Sequence, residues 1–157
     1  MPIKKNDWIW QNGKMVPWED AQVHVLTHAL HYGSSVFEGI RVYPTPDGLR
    51  AFRLAAHTQR MQESAKIHRM EIPYSADEIN SACREVVLRN QLTNGAYIRP
   101  IAFRGYGDIG LAPPPDHPID LVVAAWEWGT YLGQDALEKG VDAGISSWQK
   151  VAPNTIP

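Results

Sequence analysis

Two arginines carry the clearest chemical signal in the sequence. Arg99 stands between Ile98 and Pro100 in an alternating stretch, on the face it shares with Tyr97. An isolated buried guanidinium is too costly, so it needs a carboxylate or a phosphate. The chain itself offers Glu38, Glu127 and Asp120 as structural partners, and a bound anion is the alternative. Arg60 follows His57 on a helical stretch, where a solvated or paired surface charge is the ordinary reading. A planar fork of permanent donors also suits phosphate. Glu38 and Arg41 interrupt an apolar, β-branched run, either as a paired and solvated set or as part of a site. His24, His28 and His31 have the spacing of one helical face, but no carboxylate or cysteine completes a tight set, and zinc takes three or four protein ligands. No metal is expected. None of the lysines at 4, 5, 14, 66, 139 and 150 sits in an apolar setting that would lower its pKa for covalent chemistry. Cys83 falls on an apolar helical stripe and reads as packing.

These residues need a scaffold, and the pattern supplies one. Asn12-Gly13 between two apolar runs predicts a hairpin, because both residues tolerate positive φ. Residues 23–32 predict a short helical or irregular entry to a strand over 36–43, with Phe37, Gly39, Arg41 and Tyr43 on one face and Val36, Glu38, Ile40 and Val42 on the other. Gly39 inside that strand suggests a bulge or a close approach to the backbone. Pro46-Asp47-Gly48 turns the chain into a second hairpin. Residues 55–69 predict a helix. Ser75 and Glu78 form a capping box ahead of another, with Ile79, Ala82, Cys83, Val86 and Val87 as its apolar stripe. Strands are expected over 96–103, 119–128 and 141–148, and a short helix over 131–139. Pro100 should place its strand at an edge or a bulge. Three glycines and four prolines make residues 105–118 a loop. Strands, two helices and strands again give an α+β class: an antiparallel or mixed sheet with two main helices on one face.

The bulk numbers exclude several function classes. Of 157 residues, 44% are hydrophobic and 20% charged, an ordinary globular balance that allows one sizeable core. A net charge of -2 without a single-sign run points to neither nucleic acid nor an anionic membrane surface. No apolar run approaches the ~20 residues of a spanning helix, and the N-terminus lacks a secretory pattern. With one cysteine, the expected compartment is a reducing cytoplasm.

One resemblance runs along the whole chain. The stretch from His28 to Arg41, HALHYGSSVFEGIR, resembles the H-x-L-H-Y-G-x-x-V-F-E-G-I-R segment of bacterial branched-chain amino acid aminotransferases, fold-type IV enzymes that use pyridoxal 5′-phosphate (PLP). It recurs in Ala96-Tyr97-Ile98-Arg99-Pro100, in Ser146-Ser147-Trp148 and in Ala152-Pro153-Asn154-Thr155-Ile156-Pro157. The resemblance implies exchange of the amino group between leucine, isoleucine or valine and 2-oxoglutarate. It implies a PLP-phosphate contact from Arg60, recognition of the glutamate side-chain carboxylate by Arg99 and Tyr131, and a pocket formed by Tyr32, Phe37, Tyr97 and Leu111. Tyr32 and Leu111 would cross to a partner in a homodimer or larger homo-oligomer. The family's imine-forming lysine would follow Pro157, so this chain would be inactive alone. Residues 1–133 would form the small N-terminal domain, and 134–157 the start of the linker and second domain. D-amino acid aminotransferases and aminodeoxychorismate lyases share the fold and are the competing assignments, with Tyr97-Ile98-Arg99-Pro100 favouring the branched-chain group. A free-standing binding domain is the rival from another class.

Overall fold

The structure is a computed structural model and describes residues 3–128 and 134–152. It divides into two compact units, residues 1–127 and 128–157. The first holds strands β1 (Trp8–Gln11), β2 (Lys14–Pro17), β3 (Ser35–Phe37), β4 (Ile40–Thr45), β5 (Gly48–Ala51), β6 (Ala96–Arg104) and β7 (Ile119–Trp126). Its helices are α1 (His28–Tyr32), α2 (Leu54–Ile67) and α3 (Ala76–Arg89). The strands form one antiparallel sheet in the order β2-β1-β7-β6-β4-β5, with β3 also paired to β6.

Local chemistry accounts for the elements. Asn12 (φ 48°) and Gly13 (φ 89°) turn β1 into β2 with both residues in the left-handed region. Ser75 and Glu78 close the expected capping box on α3. Ile79, Ala82, Cys83, Val86 and Val87 then join Leu54, Met61 and Ala65 of α2 in the core. Both helices lie on one face of the sheet, over Val36, Ile40, Val42, Ile98, Ala102, Leu121, Val123 and Ala125. Burying Cys83 there raises its thiol to about 12, so it packs and does not react.

The strand expected over 36–43 is two strands in one continuous register, since Phe37↔Ile101 and Ile40↔Ile98 keep the same offset. The cause is Pro100, which faces Glu38. Its carbonyl accepts from the Glu38 backbone N–H (3.0 Å), but it has no N–H to return. This corrects the expected edge or bulge: Pro100 is fully buried in β6, an interior strand, and the ladder simply lapses at Glu38–Gly39. On its outer side, β5 reaches only as far as Phe52, whose N–H donates to the Arg41 carbonyl, so residues 35–39 form an edge. The face away from α2 and α3 is half-exposed. β7 therefore alternates, with Val122 and Ala124 half-buried.

In the second unit, α4 (Gln134–Lys139) ends at Gly140 in a left-handed conformation. Residues 141–148 are not a strand. No neighbouring ladder receives them among the described residues, and Ile145 and Trp148 are fully exposed or nearly so, which leaves alternation with nothing to satisfy.

Candidate functional site

Phe37, Gly39, Arg41, Tyr97 and Arg99 are positioned by β3, β4 and β6 on the open face, because strand alternation puts their neighbours Glu38, Ile40, Ile98 and Pro100 toward the helices. Arg99 Nη2 donates to the Tyr97 hydroxyl at 3.0 Å, and its guanidinium lies over the Phe37 ring at 4.3 Å. The Tyr97 ring packs 5.2 Å from that of Trp126. A side chain at Gly39 would collide with the Tyr97 hydroxyl, so the tyrosine can hold this position only beside a residue without one. The three structural partners offered for Arg99 are engaged elsewhere. Glu38 points to the helix side and binds Arg60, Glu127 lies 3.9 Å from Lys4, and Asp120 accepts from Asn12 at 2.8 Å. Arg99 Nε is buried with no hydrogen-bond partner among the described residues, and so is Arg41 Nε. Beside this cluster an apolar hollow of about 320 Å³ is lined by Ile9, Val23, Leu30, Ile101 and Phe103. A wider hollow of about 650 Å³, among Lys66, Arg69, Arg104 and Pro113, touches none of the expected site residues.

Tyr32 and Leu111 belong to a second group, where α1 meets the loop of residues 105–118. His28, 3% exposed, donates from Nε2 to the Gly110 carbonyl (3.1 Å) and meets the Ser34 hydroxyl at Nδ1 (2.7 Å). Tyr32 donates its hydroxyl to the Ile109 carbonyl (2.9 Å), and His117 donates to that of Gly105 (3.2 Å). The loop therefore has a fixed course without regular structure, and it carries Leu111 outward at 85% exposure. Tyr32 and Phe37 are also exposed. α1 begins only at His28, so His24 does not share a helical face with His28 and His31.

The third group is Arg60 with Glu38 and His57. Arg60 stands on α2, away from the open face. Its Nε and Nη2 bind the two Glu38 oxygens at 2.6 and 2.5 Å, and His57 Nδ1 donates to Oε2 at 2.8 Å. Glu38 is 4% exposed, which corrects the expectation of a solvated pair with Arg41. Burial raises its pKa, but the hydrogen bonds from Arg60 and His57, followed by their charges, outweigh it and hold the carboxyl below its ordinary value. The same hydrogen bond and charge from Glu38 raise Arg60. The sequence did not reveal this triad. Its only trace was an i, i+3 His-Arg pair on a helix and one carboxylate in an apolar strand. Tyr131 lies outside the described residues.

The Amino-transferase class IV family model matches residues 35–157. The chain is 54% identical over all 157 residues to the branched-chain-amino-acid aminotransferase of Salmonella typhimurium, covering 50% of that protein. It is 49% identical over 142 residues to that of Pseudomonas aeruginosa, covering 90% of this chain and 46% of the relative. The crystal structure of the Escherichia coli branched-chain amino acid aminotransferase superposes with a TM-score of 0.93 at 54% identity, over 98% of this chain and 50% of that one. A branched-chain amino acid aminotransferase from T.th., crystallised with pyridoxamine 5′-phosphate, superposes with a TM-score of 0.78 at 52% identity, over 84% and 43%. The chain thus spans about half the length of the curated relatives it matches. With a family model covering most of its length, the chain belongs to the class IV aminotransferases.

Proposed function

We propose that this chain is the N-terminal part of a PLP-dependent transaminase exchanging the amino group between leucine, isoleucine or valine and 2-oxoglutarate. The observation that carries the reading is Arg99: a guanidinium on the open face whose possible internal carboxylates are all engaged elsewhere. A pocket that must accept both a branched aliphatic chain and a glutamate carboxylate needs apolar walls and one well-placed cation. Tyr32, Phe37 and Leu111 are proposed as the walls, Tyr97 borders them, and Arg99 with Tyr131 holds the carboxylate. Tyr32 and Leu111, exposed in this chain, would be contributed across a homodimer interface.

The residues present fit the cofactor. Arg60 is held on one side by Glu38, its Nη1 has no partner among the described residues, and its side chain is 64% exposed, leaving donors for a phosphate. When bound, PLP supplies the electron sink for the reaction. Arg60 and Arg99 lie on opposite faces of the sheet beside the same edge at residues 35–39, so one ligand could present a phosphate to one and a side chain to the other. The covalent lysine is proposed to belong to the half of the relatives' length that this sequence does not span, with residues 1–133 as the small domain and 134–157 leading to the next. No helix among the described residues is long and apolar enough to cross a membrane, and a cytoplasmic location is proposed.

The test uses the natural protein that carries this sequence, assayed with leucine, D-alanine and aminodeoxychorismate. Leucine should be preferred, and a preference for either of the others would transfer the assignment to that branch. The 157-residue chain incubated with PLP and reduced with borohydride should show no stoichiometric adduct on any of its lysines by mass spectrometry. Stoichiometric labelling of one of them, with turnover, would refute the division of labour.

A further inference from the structure

Glu38 is the unusual member of its triad. It sits in the lapse between β3 and β4 with its backbone fixed by Pro100 and its carboxylate buried under α2, while the arginine it binds remains mostly exposed. A salt bridge that only stabilised the fold would gain little here, because burying a carboxylate costs about what the pairing returns. The geometry does something more specific. A fork on Nε and Nη2 fixes the plane and direction of the guanidinium, His57 holds the carboxylate from a second side, and Nη1 has no partner among the described residues on a mostly exposed side chain.

We infer that Glu38 is a positioning residue that pre-orients Arg60, so that the Nη1 edge of its guanidinium meets a phosphate without losing side-chain freedom on binding. This rests on the reading of Arg60 as the phosphate ligand. A long side chain immobilised before binding adds no ordering cost at the moment of binding. Glu38 can do this because its hydrogen bonds keep it ionised. Charge alone predicts the opposite sign: a carboxylate beside a phosphate site weakens anion binding, so removing it should tighten the site.

The experiment compares PLP with pyridoxal, which lacks the phosphate, by absorbance titration of the natural protein and its Glu38→Gln, Arg60→Lys and double variants. Glu38→Gln should weaken PLP about two- to tenfold, the factor for immobilising one rotamer-rich side chain, and leave pyridoxal unchanged. Arg60→Lys keeps the charge and loses the fork, and it should weaken PLP selectively too. The double variant should be no worse than the more affected single one, because both changes break the same device. Tighter or unchanged PLP binding in Glu38→Gln, equal weakening of both ligands, or additive losses would overturn the inference. Should Glu38→Gln fail to fold, His57→Gln replaces it, with a smaller selective loss expected and an equal loss of both ligands overturning the inference. If Arg60→Lys and Arg60→Gln both leave the PLP-to-pyridoxal ratio unchanged, the phosphate reading of Arg60 itself falls. If they shift it while Glu38→Gln does not, only the positioning role falls.

Discussion

The two faces of β6 share one backbone and have opposite characters. Ile98, Pro100 and Ala102 are buried against α2 and α3, whereas Tyr97, Arg99 and Ile101 are half-covered on the other side. The helix face is filled by aliphatic side chains in contact. The open face carries two arginines, the rings of Phe37, Tyr43, Tyr97 and Trp126, and a glycine whose missing side chain makes room for one of those rings. A sheet lets a protein separate stability from chemistry residue by residue, because neighbours in sequence point apart. Glu38 is a buried charge on the stabilising face, and it reaches the site edge through an arginine.

The strongest way to sharpen this contrast is truncation on each side. Leu121→Ala, on the helix face at 0% exposure, should cost about 2–5 kcal/mol. Val122→Ala, on the open face, should cost about 1 kcal/mol or less. Urea unfolding measures both, and equal losses would mean that the open face is covered in solution. Next comes Arg99→Gln in the natural protein. Hydrogen bonds to charged groups contribute about 1.5–3 kcal/mol, so the 2-oxoglutarate half-reaction should slow about ten- to hundredfold. The leucine half-reaction should slow less, with stability within about 0.5 kcal/mol of the parent. Equal losses in single-turnover measurements, with a lower Tm, would make Arg99 structural.

A smaller effect belongs to the capping box. Ser75→Ala should cost about 1 kcal/mol in thermal or urea unfolding and leave the ratio of the two half-reactions unchanged. A changed ratio would connect α3 to the site in a way the contrast of faces does not allow. Last is a drift with acid. Glu38 and Glu78 both titrate below the ordinary 4.5 in the fold. The unfolded chain therefore binds protons first as pH falls. The stabilisation is complete above 4.5 and is lost as pH drops through that value toward the lower folded one. Urea midpoints from neutral pH down to about 3 should fall less steeply for Glu38→Gln than for the parent. Parallel profiles would show that Glu38 does not titrate as its hydrogen bonds imply.

What the sequence revealed divides along the same line. Alternation and helical periodicity are local, so the Asn12-Gly13 hairpin, the Ser75 capping box, the stripe on α3 and the faces of β6 were legible. Tyr97 and Arg99 were legible as sharing a face for the same reason, being two residues apart, whereas their meeting with Phe37 and Gly39 joins separate strands. What failed needed knowledge of a neighbour. Residues 141–148 alternate like a strand but have no ladder beside them among the described residues. Pro100 looked like an edge marker, because nothing local shows that its missing donor faces Glu38. The pairing of Glu38 with His57 and Arg60 spans 19 and 22 residues between a strand and a helix, beyond any periodicity. His28 and His117, which tie down the loop, were legible only as histidines.

The pairing of β1 with β7 has a consequence during synthesis. Trp10 lies beside Val123, so the first hairpin made is completed by the last strand of its sheet. A lone hairpin is at best marginal in water. On a ribosome adding about 5–20 residues per second, it must wait roughly 6–23 s for its neighbour. During that interval Trp8, Ile9 and Trp10 present apolar surface and an unpaired strand edge, the two features that make a nascent chain prone to stick to others.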